Sequence, residues 1–179
     1  MRIKRGMVLI LVIIAIFIAG CTEKPIENAT LGTEEVFSEG PLNSTEWNNK
    51  GVDLFVAGRA EEALGAYDKA TGIDPLNVYA WYNKGIAYSY LGRYEEALQA
   101  YNKTTEIDPE DANAWHTKAG ALNSLGRYEE AIEALDKAIE LDPQFAYAWY
   151  NKGTILDRLG RTDEAQVCYD KAKELGYSA

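Results

Sequence analysis

Val78-Tyr-Ala-Trp81-Tyr-Asn-Lys-Gly85-Ile-Ala-Tyr88-Ser-Tyr-Leu-Gly92-Arg-Tyr-Glu-Glu-Ala97-Leu-Gln-Ala-Tyr101-Asn-Lys-Thr-Thr-Glu-Ile-Asp108-Pro109-Glu-Asp111 overlays the sequence on either side of it when displaced by 34 residues. Trp47, Trp81, Trp115 and Trp149 recur at that interval, as do Gly58, Gly92, Gly126 and Gly160, and the chain has no other tryptophan. Four repeats result, 44–77, 78–111, 112–145 and 146–179, with no insertion between them. Within a repeat the tryptophan, the small residue four later and the Tyr or Leu seven later share one helical face, which is expected to be core. Trp81, Gly85 and Tyr88 are the example, and the third repeat carries Ala119 in the glycine position. Leu-Gly ends the first helix, because glycine adopts the left-handed cap conformation. The acids of Arg-Tyr-Glu-Glu-Ala then open a second helix, where they favour its dipole. Asp74-Pro75, Asp108-Pro109 and Asp142-Pro143 end that helix, since the residue before proline avoids the helical region. In the second helices Ala63, Ala97, Ala131 and Ala165 are expected as tight contacts, with Tyr67, Tyr101, Leu135 and Tyr169 as fillers.

This period, with Trp, Gly, Tyr, Ala, Tyr, Ala and Pro in fixed phase, resembles the tetratricopeptide repeat (TPR) family. The resemblance implies an all-α, right-handed superhelical solenoid of four helix-turn-helix hairpins, and a protein-interaction module whose first helices line a concave groove for partner peptides. A hairpin of this kind cannot bury both faces alone, so neighbouring repeats supply the missing contacts. The last repeat has Gln166 where the others have Leu64, Leu98 and Ile132, and Lys173 where the third has Ile139. These polar replacements are expected to face solvent as a cap and to keep the chain monomeric, and Cys168, which stands where other repeats have alanine, to be a small buried filler.

The residues two before and one, two, five, eight and nine after each tryptophan form the face that the resemblance assigns to the groove. They are Thr45, Asn48, Asn49, Val52, Phe55 and Val56 in the first repeat; Tyr79, Tyr82, Asn83, Ile86, Ser89 and Tyr90 in the second. The third gives Asn113, His116, Thr117, Gly120, Asn123 and Ser124, and the fourth Tyr147, Tyr150, Asn151, Thr154, Asp157 and Arg158. The candidate peptide-binding residues are Asn48, Asn49, Tyr79, Tyr82, Asn83, Asn113, His116, Tyr147, Tyr150, Asn151 and Arg158. Tyrosine joins a large contact area to a hydroxyl at low rotamer cost, and asparagine both donates to and accepts from an extended backbone. The alternative is that these side chains fill the space between neighbouring first helices. A carboxylate clamp of lysines and arginine, as some TPR domains use, is not expected, because Arg158 is the single cation on this face. Lys50, Lys84, Lys118 and Lys152 lie off it and are expected to keep solvated ammoniums.

Of the 179 residues 26% are charged and 47% apolar, the balance of one folded domain. The net charge of −10 repels phosphates, so no nucleic-acid partner is expected. The sequence shows no phosphate loop, nucleophile elbow or metal-ligand spacing, and its lone histidine, His116, has no sequence-local cysteine or acid pair; neither an enzyme nor a cofactor is expected. Residues 1–20 open with Arg2, Lys4 and Arg5 and continue in an apolar run, the construction of an export signal. Ile18-Ala-Gly20 before Cys21 resembles a lipoprotein lipobox, which implies a lipid on the Cys21 thiol; an uncleaved anchor is the alternative. Either reading holds the protein at the outer face of the cytoplasmic membrane. From residue 21 to 43 the periodicity is lost among Pro25, Gly32, Gly40, Pro41 and five glutamates, and an acidic, disordered tether is expected. Asn28 and Asn43 begin glycosylation sequons.

Overall fold

The punctuation of the repeat becomes eight helices in a computed structural model that describes residues 41–177. They are α1 Ser44–Val56, α2 Ala60–Ile73, α3 Val78–Tyr90, α4 Tyr94–Ile107, α5 Ala112–Ser124, α6 Tyr128–Leu141, α7 Ala146–Arg158 and α8 Thr162–Glu174, and the described residues contain no strand. Each successive pair is one antiparallel hairpin, and the second helix of each hairpin packs on the first helix of the next. The signal-like segment, Cys21, Asn28 and the tether as far as residue 40 lie outside the described residues.

Side chains begin the first three of the first helices, while α7, preceded by Phe145, has no side-chain cap. Asn43 and Glu46 form a reciprocal capping box on α1, Asn77 Oδ1 accepts from Ala80 N at 3.1 Å, and Asp111 Oδ1 accepts from Asn113 N at 2.8 Å. Glycine ends them: Gly58, Gly92, Gly126 and Gly160 have φ of 77°, 73°, 74° and 73°. At the first of these, Gly58 N donates to Phe55 O and Arg59 N to Leu54 O, both at 2.9 Å, which is the Schellman closure. The aspartate of each Asp-Pro has a task beyond stopping the helix. Its Oδ1 accepts from the amide two residues on, at 3.0 Å from Leu76, 3.2 Å from Glu110 and 2.9 Å from Gln144.

The core of the stack is alanine-rich. Ala63, Ala97, Ala131 and Ala165 are fully buried, and so are Ala80, Ala114 and Ala148, the residue before each tryptophan from the second repeat on. Tyr67 and Tyr101 are buried beside them, lying over the glycine of their own hairpin so closely that a Cβ at Gly85 would stand 2.5 Å from Tyr101 Cε1. In the third repeat Ala119 and Leu135, both buried in the same core cluster, stand in the places of that glycine and tyrosine, so a larger residue on the first helix goes with a smaller one on the second. Leu64, Leu98 and Ile132 are buried between repeats, whereas Gln166 and Lys173 are exposed.

The tryptophans are half-buried at the edge of the core, with Trp115 and Trp149 packed against its buried cluster. They act as ties between repeats: Trp81, Trp115 and Trp149 donate their indole N–H to the carbonyls of Pro75, Pro109 and Pro143 at 2.9, 2.9 and 3.2 Å. Two of the four lysines beside them depart from the expected solvated ammonium, whereas Lys50 is exposed as expected. The Lys84 side chain is 14% exposed and Lys152 20%, since each reaches back to an aspartate on the preceding hairpin, Asp68 at 2.7 Å and Asp136 at 2.5 Å. Lys84 also lies over the Trp81 ring at 4.8 Å.

Candidate functional site: the first-helix face

The first helices α1, α3, α5 and α7 stand side by side, and polar side chains bridge them at an offset of 35 residues, one more than the repeat. Asn83 Nδ2 donates to Asn48 Oδ1 at 3.0 Å, and Asn151 Nδ2 lies 2.7 Å from His116 Nε2. Tyr82 and Thr117 occupy the same pair of places between α3 and α5, but there the Thr117 hydroxyl donates to the Asn113 and Ala114 carbonyls at 3.0 Å. Asn48 is 8% exposed, so its amide belongs to the bridge more than to the surface. With Asn151 donating to Nε2 the imidazole of His116 is neutral, and burial holds its pKa below the usual 6.5. The ring also lies 4.9 Å from that of Phe145. At the far end of the face Phe55 and Tyr90 meet edge to face, 5.4 Å between centroids.

A second set of ties runs from the cores to this face. The Tyr101 hydroxyl lies 3.3 Å from Ser89 Oγ, and the Tyr169 hydroxyl donates to Asp157 Oδ2 at 2.8 Å. Burial first, and for Tyr169 the Asp157 carboxylate next, push both phenols up to about 12, so they stay donors across the ordinary pH range. Tyr82 and Tyr150 rest on these same rings, at 6.2 Å from Tyr101 and 5.6 Å from Tyr169.

What remains outward is sharply defined. Tyr79 is 72% exposed, Tyr90 70% and Tyr147 60%, and Asn49, Asn113 and Arg158 are exposed as well. Tyr79 and Tyr82 form one wall of a cavity of about 390 Å³ that Thr104, Asp108, Asp111 and Asn113 complete. Of the candidate residues, Tyr79, Tyr82 and Asn113 are thus brought together at one place. Asn48, Asn83, His116 and Asn151 form bridges within the face. Tyr147 and Tyr150 meet the ring of Tyr177, and Asn49 and Arg158 stand apart. The bridges have a signal in the sequence, a polar residue after one tryptophan and another two after the next, but it is legible only at the 35-residue offset.

The opposite side of the stack holds a larger cavity of about 510 Å³, lined by Trp115, Lys118, Arg127, Glu130 and Asn102 among others. Asn102 stands there in the register of Asp68 and Asp136, so among the described residues Lys118 has no acid within ion-pair reach.

Sequence profiles described as tetratricopeptide repeat match residues 78–111, 146–175 and 100–133, and one described as TPR repeat matches 119–160. The repeats are tetratricopeptide repeats. Solved structures of similar fold include "Crystal structure of MamA protein", 28% identical, with a TM-score of 0.71 over 74% of this chain and 72% of that one. "Crystal structure of MamA" is 28% identical, with a TM-score of 0.69 over 70% of this chain and 74% of that one. "MamA 41-end from Desulfovibrio magneticus RS-1" is 26% identical, with a TM-score of 0.70 over 74% and 75% of the two chains. No curated protein matches the chain.

Proposed function

We propose that this TPR chain is an exported, membrane-tethered adaptor that holds a peptide segment of another surface or membrane protein against its first-helix face. One observation carries the reading. Of the eight large apolar side chains exposed among the described residues, five, Val52, Val56, Tyr79, Tyr90 and Tyr147, lie on that single face. A monomeric soluble surface rarely gathers its apolar residues this way unless something covers them. The bridges beneath strengthen the reading, because a face whose asparagines and histidine already hold one another is pre-organised for binding. The tether reading rests on Arg2, Lys4, Arg5, the apolar run and Cys21, and a lipid anchor there would need more than one chain to be stable.

The test is affinity capture from detergent-solubilised membranes with the full chain as bait. The control is Tyr79→Ser/Tyr147→Ser, both sites being exposed enough to leave the fold intact. A membrane protein retained by the first bait and lost from the second supports the adaptor; equal retention by both, and by an Asn49→Ala/Arg158→Ala bait as well, refutes it. The cavity at Lys118 favours a second reading, an assembly element that works through the opposite side. Under that reading light scattering would show concentration-dependent oligomers that Lys118→Ala disperses, and a monodisperse monomer would exclude self-assembly.

A further inference from the structure

Tyrosine stands both two before and one after the tryptophan only in the second and fourth repeats, as Tyr79/Tyr82 and Tyr147/Tyr150; the first has Thr45/Asn48 and the third Asn113/His116. In the fourth repeat the structure shows what such a pair holds. Gly176, at φ 90°, turns the chain back, and Tyr177 N donates to Ala172 O at 2.9 Å. The ring of Tyr177 then stacks on Tyr150 at 4.3 Å between centroids and 26° between planes, and meets Tyr147 edge-on at 5.2 Å and 83°. In the second repeat Asp108 and Pro109 occupy the places of Gly176 and Tyr177. There the chain runs on into α5, with the Pro109 carbonyl accepting from Trp115. The same two tyrosines therefore face the cavity of about 390 Å³, and no side chain among the described residues fills it.

The wall opposite the tyrosines differs from that of the fourth repeat in charge. Asp108 and Asp111 each spend one carboxylate oxygen on a backbone amide, of Glu110 and Asn113, and neither joins an ion pair among the described residues. A cation beside the aromatic ring would meet both acids, and charge-assisted pairing in a half-enclosed site exceeds that on an open surface.

We propose that the Tyr79/Tyr82 cradle receives a tyrosine or phenylalanine side chain of the bound peptide, while a lysine or arginine next to it in that peptide pairs with Asp108 and Asp111. The proposal rests on the adaptor reading and names its ligand class: an extended segment with adjacent aromatic and basic residues, read by edge and face contacts and by charge.

A randomised octapeptide library, panned on the full chain in detergent, tests it. The recovered peptides should be enriched in an aromatic residue adjacent to a basic one. Tyr79→Ser should weaken the best of them by about tenfold, the scale of a central aromatic contact. Asp108→Asn/Asp111→Asn retains the side-chain acceptors for both backbone amides, so it should keep the aromatic preference and lose the basic one. Tyr147→Ser should change little, as its cradle already holds Tyr177. Peptides with no aromatic, or affinity unmoved by Tyr79→Ser, overturn the cradle. If Asn49→Ala or Arg158→Ala weakens binding while Tyr79→Ser does not, the cradle fails and the adaptor reading stands. Recovery of no peptide also overturns the cradle and leaves the adaptor to the membrane capture. An oligomer dispersed by Tyr79→Ser would mean that a second copy occupies the site, which overturns the peptide assignment.

Discussion

At single residues the packing of this chain is a matter of matched sizes. Gly85 and Gly153 each lie under a tyrosine ring, Tyr101 and Tyr169, at a separation that leaves no room for a methyl group, while Ala119 and Leu135 take these two places in the third repeat. Gly85→Ala should therefore destabilise by ~1–3 kcal/mol through overpacking, although it raises helix propensity. Adding Tyr101→Leu recreates the pair of the third repeat, so the double variant should recover much of that loss. Urea denaturation of the four corners of the cycle would show it, and simple additivity would mean that the two sites are not coupled. His116 carries a pH dependence of defined sign. Its folded pKa lies below 6.5, so as pH falls the unfolded chain takes up the proton first. The contribution is complete above 6.5 and is lost as pH drops through the folded value. Glu62, Glu96, Glu130 and Glu164, held below 4.5 by hydrogen bonds from their arginines, act only at lower pH. Melting temperature should decline between about pH 7 and about pH 5, and His116→Gln should flatten that slope. An unchanged slope would place the titration elsewhere.

Between elements the ties are electrostatic as well as apolar, and here the sequence was only partly legible. Helix ends could be read because glycine and Asp-Pro have local conformational causes. The Lys84–Asp68 and Lys152–Asp136 pairs could not, because each joins residues 16 apart on different hairpins, and a lysine beside a tryptophan reads equally well as a solvated stem. The tryptophans were placed on the right side but not at the right depth, because periodicity gives the side of the helix and not how deep the ring sits once a neighbour is stacked on it. The candidate face was legible as a face, and the separation of Tyr79 from Asn48 within it was not, since one points outward and the other into a bridge. Asn102 shows how the repeat reports on itself once the pairs are known. Asn102→Asp supplies the acid that Lys118 lacks and should stabilise by ~0.2–1 kcal/mol, the range of partly exposed pairs. The gain should shrink with added salt, and a salt-independent gain would point to helix propensity or local hydrogen bonding instead.

Across the whole described stack, cohesion is uneven. One continuous cluster of buried residues runs from Ala97 in α4 to Cys168 in α8, whereas Ala63, Leu64, Tyr67 and Ala87 form a smaller one between the first hairpin and α3. That hairpin also carries Gly65 and Gly72 inside α2, at positions where a Cβ would meet nothing within 4 Å. Each such glycine costs a helix roughly 0.5–1 kcal/mol relative to alanine. In a linear array stability is a sum of unit and interface contributions, so the weakest unit at an end opens first. Amide hydrogen exchange should therefore proceed faster in α1 and α2 than in α5 and α6, and Gly65→Ala/Gly72→Ala should slow it there selectively. The expected consequence for binding follows from place: Asn48 braces Asn83 on α3 and Phe55 braces Tyr90, so fraying of α1 loosens the helix that carries Tyr79 and Tyr82. Peptide affinity should then rise with the double alanine variant without any new contact, by the fraction of molecules in which the first hairpin had been open. Uniform exchange along the stack would show that the two clusters unfold as one, and would remove that coupling.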